Sequence, residues 1–249
     1  MTLVENNKGN LVYYQFKEFI DFEHVFSHLF SSRIGWDIDK IRMKEQICNI
    51  IGVPTKNIIS VKQVHGTNII IIDSNIKDYE SISQSEADGL ITNLPNVALI
   101  TYHADCVPVY FIDISKKVIG LAHSGWKGTF NNITGKMIKT MRDRYNSNSE
   151  DIFIAIGPSI GPCCYEVKDD LIQLFTEKYG NFDFLFRVDN DKAYLDLWKT
   201  IYLQILEEGI PKENIILSNT CTSCNIDKFY SYRREKGTNN RMVAVISLR

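Results

Sequence analysis

Seven short apolar runs, at 68–73, 97–101, 107–113, 117–123, 151–157, 215–218 and 242–248, constrain this chain more than any other feature. Several are nearly continuous in Ile and Val rather than alternating with polar residues. Strands made from them must be covered on both faces. The cover is present in the sequence: 3–4 spacing of apolar residues predicts amphipathic helices at 39–51, 130–145, 168–179 and 193–208. In the last of these Leu195, Trp198, Ile201, Tyr202 and Ile205 share one face. Strands and helices do not alternate strictly. The fold class expected is therefore α/β, a mixed α+β layered sandwich with mixed β-sheets flanked by helices. No linker rich in Gly, Pro or Ser divides the chain, and 249 residues with 44% hydrophobic content suffice for a single domain over 1–249.

Net charge is −2, without a block of like charge, which argues against nucleic acid or an anionic membrane as the main partner. The first residues hold no apolar signal core, and no stretch approaches the ~18 apolar residues of a membrane span. A cytoplasmic protein, monomer or homodimer, is expected. Six cysteines in such a chain do not suggest a disulfide scaffold. Cys48 falls in a helical stretch and reads as core. Cys163 and Cys164 are adjacent, so a bond between them would be strained. Cys221-Thr-Ser-Cys224 is a CxxC without a second CxxC to complete a zinc ribbon, and reads as a structural turn.

One internal echo stands out. Gly52-Val-Pro-Thr-Lys-Asn-Ile-Ile resembles Gly209-Ile-Pro-Lys-Glu-Asn-Ile-Ile, each following a helix and leading into a strand. Gly and Pro after a helix end are common stop chemistry. A duplicated helix–strand unit is the alternative, and it would place His65 and Cys221 at comparable strand ends.

Three apolar segments end on metal-capable side chains: His65 after Val61-Lys-Gln-Val, Cys106 after Leu99-Ile-Thr-Tyr-His-Ala-Asp, and His123 after Val118-Ile-Gly-Leu-Ala. Two imidazoles and a thiolate suit zinc, and three protein ligands leave a fourth position open, the pattern of a catalytic site. After His123, Ser124-Gly-Trp-Lys127-Gly turns into a helix, so free backbone N–H groups with Lys127 form a candidate anion pocket. Two Gly-Pro pairs within Gly157–Glu166 make a rigid loop at the end of a buried strand. Arg233 and Arg234, near the C-terminus, are candidate anion contacts, and Arg33 lies between turn residues.

Taken together, Gln-Val-His65-Gly, Glu-Ala-Asp88-Gly, Ala-Asp105-Cys106-Val-Pro-Val, Ala-His123-Ser-Gly-Trp-Lys-Gly, Gly-Pro-Cys-Cys-Tyr-Glu166-Val, Cys-Thr-Ser-Cys and Phe-Tyr-Ser-Tyr-Arg-Arg resemble, in order, the YfiH-like family. Its members are labelled laccase-domain or polyphenol oxidase proteins and are regarded as purine nucleoside phosphorylases. The resemblance implies zinc on His65, Cys106 and His123. It also implies phosphorolysis of adenosine, inosine and methylthioadenosine, with deamination of adenosine as a second activity. Departures touch Lys127, where arginine is frequent, His103, where threonine is usual, Trp36 in place of a glycine, and Thr238-Asn-Asn-Arg241, where Thr-Gly-Arg is common.

An open zinc site lowers the pKa of bound water to ~7, which suits deamination at purine C6. The HxE and PCxxC signature of known zinc deaminases is absent, so another acid/base group is needed, with Asp105 and Glu166 as candidates beside Cys106. Arg33, Gln63, Lys127 and Arg233 are the candidate substrate and phosphate contacts. Two other readings use the same residues. A copper polyphenol oxidase fits the softness of the ligands, but the five histidines include no HxH pair. A cysteine hydrolase would use Cys106 as nucleophile and a histidine as base.

Overall fold

The computed structural model describes residues 2–76, 78–180 and 182–249. All seven apolar runs become strands, and they fall into two six-stranded mixed sheets. In spatial order the first sheet comprises Leu3–Lys8, Leu11–Phe16, Phe26–Ser31, Met242–Leu248, Ala98–His103 and Ile58–Ile59. The second comprises Ile215–Leu217, Ile152–Ile156, Val107–Asp113, Val118–Ser124, Gly89–Thr92 and Ile69–Ile72. A smaller antiparallel sheet joins Glu166–Val167, Lys192–Leu195 and Phe186–Asp189.

The continuous apolar runs are explained by what lies on each face. Side chains alternate across a strand, so Tyr110 and Ile112 enter the core between the two large sheets, while Val107, Val109 and Phe111 face the helices Ile133–Tyr145 and Leu197–Glu207. In the last strand Met242, Ala244 and Ile246 face the inter-sheet core, and Val243 and Val245 pack under the helix Lys40–Ile51. The result is helix, sheet, sheet, helices. No helix among the described residues is long and apolar enough to cross a membrane.

Local chemistry sets the helix ends. Asp39 accepts from the N–H groups of Ile41 and Arg42, and Gly52 closes that helix at φ 79°. The helix expected at 130–145 is two pieces, Trp126–Phe130 and Ile133–Tyr145, because Asn132 turns left-handed (φ 55°) and caps the second through Gly135 N–H. The helix expected at 193–208 starts only at Leu197. Lys192–Leu195 is a strand, and Asp196 caps the helix through Lys199 N–H. Leu195 imitates helical spacing because its strand buries it in the same cluster as Ile201. The strands before residue 32 escaped the sequence reading. Leu3–Lys8 and Leu11–Phe16 form an edge hairpin whose polar Glu5, Asn6, Asn7 and Gln15 hide any apolar pattern.

His28 sits on the inner strand Phe26–Ser31, fully buried, with Nε2 accepting from Phe16 N–H at 2.8 Å. Burial drives its pKa from 6.5 down to about 3. Between those pH values the unfolded chain takes up a proton that the folded chain refuses. The contribution of His28 is thus whole above pH 6.5 and is lost by about 1.4 kcal/mol per pH unit as pH falls below it. Urea titrations between pH 7 and pH 5 should show a shallower acid loss in His28→Gln than in the wild type. Equal slopes in the two proteins would contradict this.

Candidate metal centre

The centre grows from one carboxylate. Asp88 precedes the strand Gly89–Thr92 and is wholly buried. The pairing of Gly89 with Ala122 lays it beside His123, whose backbone N–H donates to the Asp88 carbonyl at 2.8 Å. The Asp88 side chain accepts from the N–H groups of Val64, His65 and Gly66 at 3.2, 3.1 and 2.7 Å, and from His123 Nδ1 at 2.8 Å. Burial pushes this carboxyl up, but His123 and the backbone donors outweigh it and hold it below its ordinary value. With Nδ1 committed to Asp88, His123 keeps Nε2 free as a ligand. The same carboxylate fixes the loop that carries His65, whose φ of 59° is left-handed.

Cys106 comes from a second pinned loop. Its neighbour Asp105 is also left-handed, at φ 84°. The Asp105 carboxylate accepts from Thr222 Oγ1 at 2.7 Å, Ser231 Oγ at 3.0 Å and Arg233 N–H at 2.7 Å. Below Cys106, His103 Nδ1–H donates to the Cys106 carbonyl at 3.0 Å, which leaves Nε2 to accept from the Thr101 hydroxyl at 2.7 Å. Burial, followed by the charge on His123, drives the His103 pKa well below its ordinary value. Both of its nitrogens are used, so His103 supports the loop.

The ligating atoms of His65, Cys106 and His123 lie within 4.8 Å of one another, the two imidazole rings standing at 78° with centroids 4.8 Å apart. Burial pushes the Cys106 thiol up, yet His123 and His65 outweigh it and bring it to about 6. Burial pulls His123 down, and Cys106 with Asp88 raises it to about 9. The three groups favour a thiolate facing positive charge, the condition under which a cation replaces the protons. The donor set therefore fits a transition metal with an open fourth position. Gly125 makes room for it. A Cβ there would stand 3.0 Å from His65 Cδ2 and 3.1 Å from Cys106 Sγ.

The centre opens into a cavity of about 840 Å³. Of the contacts expected from sequence, Gln63 and Arg233 line it. The Gln63 amide is held at both ends by the Tyr102 backbone, at 2.9 and 2.8 Å, and the Arg233 guanidinium lies 5.0 Å from the Tyr165 ring. Three other expected residues, Lys127, Glu166 and Arg33, do not line the cavity. Lys127 follows the cavity-lining Trp126 by one helical position, about 100° round, and is exposed, lying 5.5 Å over the Trp126 ring. Glu166 follows Tyr165 along an extended segment. Tyr165 faces the cavity, while the Glu166 carboxylate pairs with Lys192 at 3.1 Å outside it. Arg33 is used structurally, pairing with Glu235 at 3.2 Å, donating to the Ile226 carbonyl at 2.7 Å and stacking on Tyr230.

Other walls were not read from the sequence. They include Lys40, Arg241, Tyr102, Trp126 and Tyr232. Cys106 also precedes its strand, Val107–Asp113, rather than closing one, and His65 lies on a loop beyond Ile58–Ile59. Of the three candidate ligands only His123 lies at the end of a strand, Val118–Ser124, while all three stand beside Gly, Asp or Ser.

Residues 38–249 match the family described as multi-copper polyphenol oxidoreductase laccase. The purine nucleoside phosphorylase YlmD of Geobacillus stearothermophilus is 35% identical over 217 residues, covering 85% of this chain and 79% of its own. A purine nucleoside phosphorylase of Clostridium acetobutylicum is 35% identical over 238 residues, covering 94% of this chain and 95% of its own. The chain belongs to this laccase-like family. The crystal structure of the Geobacillus YlmD superimposes with a TM-score of 0.87 over 99% of both chains at 27% identity. A Bacillus licheniformis YfiH structure gives 0.86 at 27% identity, covering 98% of this chain and 99% of its own. Against the family's multi-copper label, His65, Cys106 and His123 are the one histidine-containing ligand cluster among the described residues.

Removing the charge on Asp88 should cost the centre its cation before it costs the fold. Asp88→Asn is expected to weaken zinc binding about 10–100-fold, in line with loss of a partner to a ligating histidine. Gly125→Ala should weaken it as well, by crowding His65 and Cys106. Chelator competition on samples matched for folded content by circular dichroism checks both. Unchanged affinity in Asp88→Asn would remove that residue from its supporting role.

Proposed function

We propose that this chain is a zinc-dependent purine nucleoside phosphorylase. It cleaves adenosine, inosine and S-methyl-5′-thioadenosine with inorganic phosphate to free base and (methylthio)ribose 1-phosphate, and deaminates adenosine as a second activity. The observation that carries the reading is the make-up of the cavity. Its walls bring aromatic rings and cationic side chains together above the His65–Cys106–His123 cluster. Lys40, Arg233 and Arg241 line it, with Lys62 paired to Glu86 at 2.7 Å, against the single lining carboxylate of Asp105, which already accepts three hydrogen bonds. A cavity this positive in a chain of net charge −2 suits an anionic co-substrate. The names of the Geobacillus and Clostridium relatives support the same assignment.

Phosphorolysis forms a bond from a phosphate oxygen to ribose C1′ and breaks the bond from C1′ to the purine nitrogen, whose electron pair leaves with the base. Arg233 and Arg241 hold the phosphate, taking the role expected of Lys127. Fixed cations keep the attacking oxygen near C1′ and need no rearrangement as charge moves. Tyr165 and Trp126 offer flat apolar faces to the purine. Asp105 positions the Arg233 backbone and the Cys106 loop. His65, Cys106 and His123 would hold zinc, which when bound would supply Lewis acidity to the reaction.

The cysteine hydrolase reading retains one point in its favour, the Cys106 thiol at about 6 beside His123. It gives no role to His65 on the same thiolate. Copper would accept the same three ligands, so metal analysis decides between the cations. Protein active without metal would favour the hydrolase.

The decisive assay sets a nucleoside panel with and without phosphate against protein of measured metal content. Base release must require phosphate and yield ribose 1-phosphate, whereas deamination must proceed without it. Loss of a charged hydrogen bond in Arg241→Ala should raise KM for phosphate about tenfold or more. Deamination in that variant should stay near wild type, and Lys127→Ala should leave both activities near wild type. Base release indifferent to phosphate would point to a hydrolase instead.

A further inference from the structure

The adjacent pair Cys163–Cys164 and the CxxC pair Cys221–Cys224 are far apart in sequence and meet in space. This corrects the expectation that the CxxC stands alone. All four sulfurs lie within 4.8 Å of one another, with Cys224 Sγ 3.4 Å from both Cys163 Sγ and Cys164 Sγ. None is close enough to another for a disulfide, whose sulfurs sit ~2.05 Å apart. A tetrahedral ion with ~2.3 Å bonds to four thiolates needs its sulfurs about 3.8 Å apart, close to what this cluster offers. We propose that Cys163, Cys164, Cys221 and Cys224 form a second, structural metal site, a closed tetrathiolate for zinc.

The surroundings fit a fixed site. The Gly161 N–H donates to Cys221 Sγ at 3.3 Å, a bond that stabilises sulfur as thiolate. The loop carrying the adjacent pair is stiffened by Gly157-Pro158 and Gly161-Pro162 and pressed onto Trp198, whose Nε1–H donates to Ser159 Oγ at 2.6 Å. A Cβ at Gly161 would stand 2.7 Å from the Trp198 ring, so the loop cannot lift without losing this packing. The two cysteine loops are joined by Ser159 N–H to the Thr220 carbonyl at 3.2 Å and Thr222 N–H to the Ser159 carbonyl at 3.0 Å. Four ligands leave no position for substrate, the arrangement of a structural rather than a catalytic site.

The site has something to hold. Thr222 lies between Cys221 and Cys224 and donates to Asp105 Oδ1 at 2.7 Å. From the other cysteine loop, Ile160 N–H donates to the Asp105 carbonyl at 2.9 Å. Both loops therefore grip the residue next to Cys106. A cation on the four thiolates locks that grip and fixes one wall of the catalytic cavity.

Metal counting and cobalt spectroscopy on the full chain test this. Reduced wild-type protein, loaded with zinc and desalted, should hold about two equivalents per chain. The double variant His65→Ala/His123→Ala should keep about one, and Cys163→Ser/Cys224→Ser should also keep about one. Cys163 and Cys224 are exposed, so the serine variant leaves the core intact. With cobalt, the histidine variant should retain the intense sulfur-to-metal charge-transfer bands of a tetrathiolate, and the serine variant should lose them. In native wild type, the four thiols should resist alkylation until a strong chelator is added. A histidine variant that binds no metal while its four cysteines alkylate freely would overturn the proposal. So would zinc-loaded protein whose non-reduced mass is lighter by the hydrogens of a disulfide among these residues.

Discussion

A wholly buried carboxylate is costly unless its oxygens are fully engaged, and at Asp88 that demand organises the centre. Three successive N–H groups and one imidazole converge on it, so the His65 loop and the His123 ring are positioned by the same anion. The arrangement depends on strand register. Gly89 opposite Ala122 sets Asp88 across from His123, and a slip of one residue would turn His123 to the other face. The second sheet alone thus places a candidate metal ligand and its supporting anion together, while leaving the second imidazole on an exposed loop open to the cavity.

Asp105 repeats the device on the other side. A non-glycine residue in the left-handed region costs about 1–2 kcal/mol, and both His65 and Asp105 adopt it. In each case a buried carboxylate gathers three or more donors around the strained residue. Strain of this kind is kept where neighbouring structure over-determines the backbone. Here it turns Cys106 and His65 toward one point, which regular strand geometry would not do.

What the sequence disclosed follows from the same physics. Continuous Ile and Val runs announced strands buried on both faces, because two sheets and flanking helices do cover both faces. His65, Cys106 and His123 were legible by residue type and by small neighbours such as Gly125, which the ligands need for space. Side-chain direction was not legible. Lys127 and Glu166 each stand one residue after a side chain that enters the cavity, and one residue is enough to turn a group away from it. The edge hairpin before residue 17 was hidden by its polar residues, and Arg241 by its distance along the chain. The four-cysteine cluster was hidden because its halves, harmless turns by themselves, meet only through the pairing of Ile152–Ile156 with Ile215–Leu217.

The echo between Gly52 and Gly209 gains meaning in that setting. Each copy follows a helix and forms a tight turn, Thr55–Asn57 or Lys212–Asn214, then a short strand that pairs in parallel at the edge of its own sheet. Beyond the first edge strand the chain delivers His65, and beyond the second it delivers Cys221. The two segments thus share a turn and a parallel edge strand, one in each large sheet. The first supplies the candidate ligand His65, and the second supplies the Thr222 hydroxyl that braces Asp105. Because the Cys106 loop is braced by Thr222 from the second segment and by Ile160 from the other cysteine loop, its geometry depends on segments far from it in sequence. A disturbance at the cysteine cluster has a short route to the metal centre, through Thr222 and Ile160 to Asp105 and from Asp105 to the next residue, Cys106.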